Sequence, residues 1–316
     1  MSIPPRIALV TRLSDAAEAN WLSLLRAALP DETIDSLRAM ADTDRAAVDI
    51  AIVANPDPED LKSLPNLAWV HSLWAGVERL VAELPGFTPP IVRLVDPQLA
   101  RNMSEAALAW TFYLFRDMPA YARQQRAHDW VQHPYRSASS VTVGLLGLGE
   151  LGAAAAERIR AQDFNVIGWS RNPKDLPDIE CLSGDDGLTG MLSRSDIVIC
   201  LLPLTDATRG LLGAKTFGQM KTGAGLINFA RGPIVDTPAL LDALASGQVG
   251  HAVLDVFDQE PLPAESPLWD NPGITVLPHI SGPTDPRTGT LVVAGNVRAY
   301  RTDGKLPESV NLARGY

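Results

Sequence analysis

Cysteine is nearly absent from this chain, with only Cys181 and Cys200 among 316 residues. Two are too few for a disulfide scaffold, and no cysteine–histidine grouping has metal-ligand spacing, so no zinc site is expected. Cys200 falls inside the apolar run Asp196-Ile-Val-Ile-Cys-Leu-Leu202, where a small buried hydrophobe is the expected role. Basic charge is also scarce. Lys and Arg number 27 against 37 Asp and Glu, a net charge of −10, which disfavours nucleic acid or an anionic membrane as a partner. No run approaches the ~18 apolar residues of a membrane span. The start, Met1-Ser-Ile-Pro-Pro-Arg6, shows no leader pattern before the first strand-like run. A reducing, cytoplasmic location is the expectation that follows. Internal repeats and low-complexity stretches are lacking too, although the two halves share a rhythm.

That rhythm is an alternation of short β-branched runs with alanine- and leucine-rich helical stretches, the pattern of parallel sheets built from βαβ units. The length fits two domains of about 100–200 residues each. One series predicts strands over 7–10, 50–54, 68–72 and 91–95, with a helix over 16–28. A second predicts strands over 141–146, 165–169, 197–202, 225–229, 252–256 and 274–277. Thr237 as N-cap, followed by Pro238, predicts a helix over 238–245. Between the series lie an apolar helical stretch over 104–115 and a polar segment over 123–140, so a boundary is expected near Ser104. A helix over 287–300 follows the last strand and is expected to return to the first domain. The first domain would then be discontinuous, 1–103 with 284–316, and the second would be 104–283.

Gly147-Leu148-Gly149-Glu150-Leu151-Gly152 stands between an apolar strand and a helical stretch. In that context the first glycine allows a tight turn, the second lets a pyrophosphate approach the backbone, and the third permits close helix packing. The helix N-terminus attracts the phosphate charge. A dinucleotide domain usually carries a carboxylate about 20 residues on for the ribose 2′-hydroxyl. Here that place reads Trp169-Ser170-Arg171-Asn172-Pro173-Lys174. A carboxylate would repel a 2′-phosphate, whereas Ser170, Arg171 and Lys174 would accept one. NADPH is therefore expected over NADH.

Three further segments carry candidate chemistry: Asn228-Phe-Ala-Arg231-Gly232, Leu254-Asp-Val-Phe-Asp-Gln-Glu260-Pro261 and Leu277-Pro-His279-Ile-Ser-Gly282. Reducing a 2-keto acid needs a hydride for the carbonyl carbon, a proton for its oxygen and a cation for the carboxylate. His279 suits the proton role because an imidazole titrates near working pH. Glu260, bonded to the far ring nitrogen, would favour the imidazolium. Arg231, always charged, can bridge the substrate carboxylate and keto oxygen.

In these segments the chain resembles the D-isomer-specific 2-hydroxyacid dehydrogenase family, most of all in Leu254–Trp269, the Trp169-Ser-Arg171 turn and the ending Ala313-Arg-Gly-Tyr316. The resemblance is strong over 141–282, moderate over 67–130 and faint before that. It implies two doubly wound parallel-sheet α/β domains, a Rossmann dinucleotide-binding domain inserted into a flavodoxin-like substrate domain. It implies Arg231, Glu260 and His279 as the catalytic set and Asp255 near the nicotinamide amide. Cofactor contacts, with NADP or NAD, would include Leu148, Gly149, Glu150, Leu151, Ser170, Arg171, Leu202, Pro203, Phe229, Ala230 and Met103. A Gly-rich loop that binds the substrate carboxylate through backbone N–H groups matches Trp74-Ala75-Gly76-Val77. Trp74 stands where a glycine is common: its indole either narrows the pocket toward two- and three-carbon acids such as glyoxylate and hydroxypyruvate, or packs against the domain beneath. The resemblance also implies a homodimer, in which Trp130 either reaches the neighbouring active site or is an interface residue alone. Another 2-hydroxyacid dehydrogenase with a larger substrate, or a dinucleotide-sensing protein without turnover, would share this pattern.

Overall fold

A computed structural model describes residues 4–310. The ending Ala313–Tyr316 lies outside them. The chain divides into two compact units, one of Met1–Gln98 with Thr284–Tyr316 and one of Leu99–Pro283.

In the first unit five parallel strands, β1 (Arg6–Thr11), β2 (Thr33–Ser36), β3 (Val48–Ala54), β4 (Trp69–Ser72) and β5 (Ile91–Val92), lie in the order β2-β1-β3-β4-β5. This is the flavodoxin-like order. The central strands are mostly apolar because both faces are covered. Ile7, Leu9, Ile50 and Ile52 pack with Trp21, Leu25, Val293 and Val297 on one face, and Ala8, Val10, Ala51 and Val53 pack with Leu37, Leu61 and Leu80 on the other. The helix Pro286–Asp303 is capped by Asp285, whose carboxylate accepts from Arg287 N at 2.9 Å. It belongs to this unit. Arg301, near its end, is held by the carboxylates of Glu32 and Asp49.

In the second unit seven parallel strands, β6 (Thr142–Leu146), β7 (Asn165–Ser170), β8 (Glu180–Ser183), β9 (Ile197–Cys200), β10 (Ala224–Asn228), β11 (Val249–Leu254) and β12 (Ile274–Val276), run β12-β11-β10-β9-β6-β7-β8. Strand order reverses between β6 and β9, the switch point at which doubly wound sheets place their ligands. Cys200 is wholly buried on β9, and burial pushes its thiol up to about 12. Among the described residues no helix is long and apolar enough to cross a membrane.

Two local expectations need correction. Ser104 marks no boundary: one helix, Pro97–Phe115, runs through it, and the hydroxyl of Ser104 is absorbed by Arg101 O at 2.8 Å within that helix. The units divide between Gln98 and Leu99. Thr237 is not the cap of its helix. Asp236 is, accepting from Ala239 N at 3.0 Å, while the Thr237 hydroxyl bonds Asp258. The helix Met118–Ala127 runs into the polar segment and ends at His128 in a left-handed conformation, φ 59°. Strands β2 and β8, each at a sheet edge, had no counterpart in the sequence reading.

Candidate active site

The registers of the second sheet set Asn228, Leu254 and Val276 level with one another, so the residues that follow them share its carboxyl edge. After β10 the chain turns at Asn228, which is wholly buried. Its amide accepts from Ala230 N at 3.2 Å and donates to Arg231 O at 3.2 Å, which fixes the turn carrying Arg231. Gly232 then touches the next loop so closely that an added Cβ would lie 1.9 Å from the carbonyl carbon of Phe257. Only glycine permits that approach, and it brings Arg231 beside the loop that carries Glu260.

Glu260 uses both oxygens. One accepts from Phe257 N at 2.9 Å and the other meets His279 Nδ1 at 2.7 Å. His279 sits at φ 55°, a region L residues rarely occupy. The two amides after it hold it there: Ile280 N and Ser281 N donate to the two oxygens of the buried Asp255, at 2.7 and 2.8 Å. Nδ1 is therefore committed to Glu260 and Nε2 is the nitrogen left for chemistry. The bond to Glu260 raises the His279 pKa; burial opposes this, the charges of Glu260 and Asp255 assist, and Arg231 opposes. Burial alone would raise Glu260, but its bonds to His279 and Phe257 N–H, with the charges of His279 and Arg231, hold it below the usual carboxylate range. The result is a carboxylate–imidazolium pair with a guanidinium nearby.

The glycine loop fits a dinucleotide position by position. Gly147 has φ 103°, and a Cβ there would lie 2.9 Å from Leu201 O. At Gly152 a Cβ would lie 1.8 Å from Gly147 O, so that glycine is needed for the helix to seat. Gly149 meets nothing within 4 Å. It heads the helix Glu150–Arg160 with no side-chain cap, leaving the first N–H groups of the helix open to an anion. Gly147 N donates to Trp169 O at 2.8 Å, tying the loop to the end of β7, where Ser170, Arg171 and Lys174 follow. Arg171 and Lys174 are exposed, and the Ser170 hydroxyl donates to Asn172 O at 2.6 Å.

A family model described as D-isomer specific 2-hydroxyacid dehydrogenase, NAD binding domain, matches residues 108–281. The chain belongs to that family. A D-isomer specific 2-hydroxyacid dehydrogenase from Xanthobacter autotrophicus Py2, solved with NADPH and MES, is 38% identical with a TM-score of 0.92, over 99% of this chain and 100% of that one. An NADPH-dependent glyoxylate/hydroxypyruvate reductase from Sinorhizobium meliloti, solved with NADP and sulfate, is 32% identical with a TM-score of 0.90, over 99% and 100%. A probable 2-hydroxyacid dehydrogenase from Rhizobium etli, solved with NADP, HEPES and L(+)-tartaric acid, is 28% identical with a TM-score of 0.88, again over 99% and 100%.

This 2-hydroxyacid dehydrogenase thus carries an NAD(P)-binding domain with Arg231, Glu260, His279 and Asp255 gathered at its carboxyl edge. Other sequence-predicted residues are placed less simply. The Leu148 side chain turns inward against Gly168, leaving only its backbone for a cofactor, while the helix opens with the exposed Glu150 and the half-buried Leu151. Leu202, Phe229 and Ala230 are buried at the ends of β9 and β10, and Pro203 is half-buried. Met103 is buried where its methyl would lie 2.8 Å from a Cβ at Gly282. In the first unit, Trp74, Ala75 and Gly76 follow β4. Trp74 N donates to Ser72 Oγ at 3.0 Å and Trp74 O accepts from Leu94 N at 3.1 Å, while its half-buried indole packs against the core of that unit. Trp130 is 94% exposed. Sequence reasoning missed the anchoring by Asp255, whose partners lie 25 and 26 residues away, and the turn made by the Asn228 amide. Gly232 was the one visible signal of a close approach.

Proposed function

We propose that this dehydrogenase reduces small 2-keto acids, glyoxylate and hydroxypyruvate, to 2-hydroxy acids with NADPH. The observation that supports it most is the Glu260–His279 pair at 2.7 Å with Arg231 close enough to alter the titration of both. Bound NADPH supplies the hydride. His279, held as an imidazolium, gives the proton to the keto oxygen from Nε2. Arg231 binds the substrate carboxylate and polarises the carbonyl, and Glu260 keeps the imidazolium charged and oriented.

The open helix start behind Gly149 supports pyrophosphate binding, while Ser170, Arg171 and Lys174, with no carboxylate at the end of β7, support the 2′-phosphate. The Sinorhizobium meliloti relative, a glyoxylate/hydroxypyruvate reductase, supports the substrate class. Trp130, Val131 and Tyr135 are exposed on one short stretch, and we assign them to contact with a second copy in a homodimer. Sedimentation of Trp130→Ala should then show a weakened dimer. Kinetics with glyoxylate, hydroxypyruvate, pyruvate and phenylpyruvate against NADPH and NADH test the rest. The expected result is highest kcat/KM for the two smallest polar acids and a lower KM for NADPH. An equal or lower KM for NADH, or a preference for phenylpyruvate, would contradict it.

A further inference from the structure

A cleft of about 240 Å³ lies within the second unit, lined by the helix Met118–Ala127 and by β11 and β12 upstream of the carboxyl edge. Two arginines of that helix, Arg123 and Arg126, line it. In a chain with 27 Lys and Arg against 37 Asp and Glu an arginine readily finds a carboxylate. These two do not. Arg123 bonds Pro272 O at 3.1 Å, and Arg126 has no partner among the described residues. Asp270, the one carboxylate lining the cleft, makes no ion pair with either.

His251 of β11 lines the same cleft. It is 8% exposed, and its Nδ1 is fully buried with no hydrogen-bond partner among the described residues. Its Nε2 meets Thr275 Oγ1 at 2.8 Å, and the phenol of Tyr113 meets that same oxygen at 3.2 Å. Burial keeps the ring neutral, so only one of its nitrogens carries a proton. The hydroxyls decide which. With Tyr113 donating to Thr275 and Thr275 donating to Nε2, both hydroxyl protons are bonded and the ring proton sits on Nδ1. The reverse order would leave the proton of the half-buried phenol without an acceptor among the described residues. The unpartnered nitrogen is therefore a donor. Arg123 is exposed and its charge reaches the ring, so movement of that long side chain can uncover Nδ1 to a ligand oxygen. Two guanidiniums and an imidazole N–H offer donors and no acceptor, which is the chemistry of an oxyanion site.

We propose that this cleft binds a small oxyanion carrying two negative charges, a phosphate or a dicarboxylate, held by Arg123 and Arg126 with one oxygen accepting from His251 Nδ1–H. The site is separate from Arg231 and His279 and does not depend on which keto acid is reduced.

Calorimetry on the NADP-saturated protein tests it, the nucleotide filling the phosphate seats of the cofactor site. Inorganic phosphate and succinate are titrated separately into wild type, Arg126→Gln and Arg231→Gln. Arg126 is exposed, so its replacement leaves the fold intact. The expected result is that wild type and Arg231→Gln bind alike, while Arg126→Gln binds about tenfold more weakly or worse, the worth of one charge-assisted hydrogen bond. The tighter of the two probes identifies the ligand class. Imidazole signals of protein labelled with nitrogen-15 histidine give a second reading, His251 being assigned with His251→Gln. They should show the proton on Nδ1 and a shift of that N–H when the anion binds. Failure of both probes to bind would overturn the proposal. So would binding that survives in Arg126→Gln and disappears in Arg231→Gln, which would put the anion in the active site, or a His251 proton found on Nε2. Should His251→Gln not fold, the calorimetric comparison decides alone.

Discussion

His279 is half-exposed, and a free imidazole would give up its proton near pH 6.5, yet Glu260 and Asp255 hold the charge on it to higher pH against burial and Arg231. Reduction consumes that proton. The kcat/KM for keto-acid reduction should therefore be level at low pH and fall as pH rises through the raised His279 value. In Glu260→Gln the bond to a carboxylate is lost, so the falling limb should move toward acid; a limb that stays in place would remove Glu260 from the role given. His279→Ala should lower turnover by roughly 10²–10⁴, the usual range for general acid catalysis. Stability is linked to the same pair. The histidine contribution is complete below its ordinary 6.5 and lost as pH rises through the folded value, and the Glu260 contribution is complete above its ordinary 4.5 and lost as pH falls through the folded value. The pair thus supports the fold fully between those two ordinary values.

At the scale of elements, three glycines separate ligand binding from folding. Gly149 has φ −75°, which any residue adopts, and open space where a Cβ would go. Gly149→Ala should leave the melting temperature of the nucleotide-free protein unchanged and weaken NADPH at least tenfold, about 1.4 kcal/mol, because the methyl fills the pyrophosphate seat. Gly152→Ala, facing Gly147 O, and Gly232→Ala, facing the Phe257 backbone, should each destabilise the protein by about 1–3 kcal/mol, as overpacking does, with Gly232→Ala also cutting turnover by moving Arg231 from Glu260. Thermal melts beside NADPH titrations distinguish the cases, and a Gly149→Ala protein that melts early would defeat the assignment. Gly149 and Gly152 were legible in the sequence because their jobs depend on spacing and on the strand and helix at either side, whereas the job of Gly232 depends on the distant Phe257 backbone and was not. The second sheet was legible because its inner strands are mostly apolar, Ile197–Cys200 throughout. Edge strands were not. Thr33–Ser36 has a single large apolar residue, and Glu180–Ser183 follows a polar turn, so neither shows a period. Thr237 misled because a hydroxyl that looks like a cap can bond elsewhere, and the Asp255 anchor was invisible because its partners are distant backbone amides.

For the molecule as a whole, acid weakens both units through buried histidines. His71 lies wholly buried on β4, donating from Nδ1 to Ser72 O at 2.8 Å, while Nε2 accepts from the Asn296 amide at 2.9 Å. Asn296 belongs to the returning helix Pro286–Asp303, so a neutral imidazole joins the two pieces of a discontinuous unit. Burial lowers the His71 pKa to about 4, against a smaller opposing effect of the bond to Ser72. In the second unit burial, aided by the charge of Arg123, likewise lowers His251 to about 4. The unfolded chain takes up these protons near pH 6.5 and the folded chain does not, so stability must fall as pH drops between 6.5 and 4. For His71 the full loss is about 3 kcal/mol. Urea unfolding from pH 7 to pH 4.5 should show the midpoint falling steadily, and His71→Gln, which keeps a donor and an acceptor but cannot take a proton, should flatten that fall at some cost in stability at pH 7. A slope unaltered by the substitution would mean that the acid sensitivity of this unit arises from other groups.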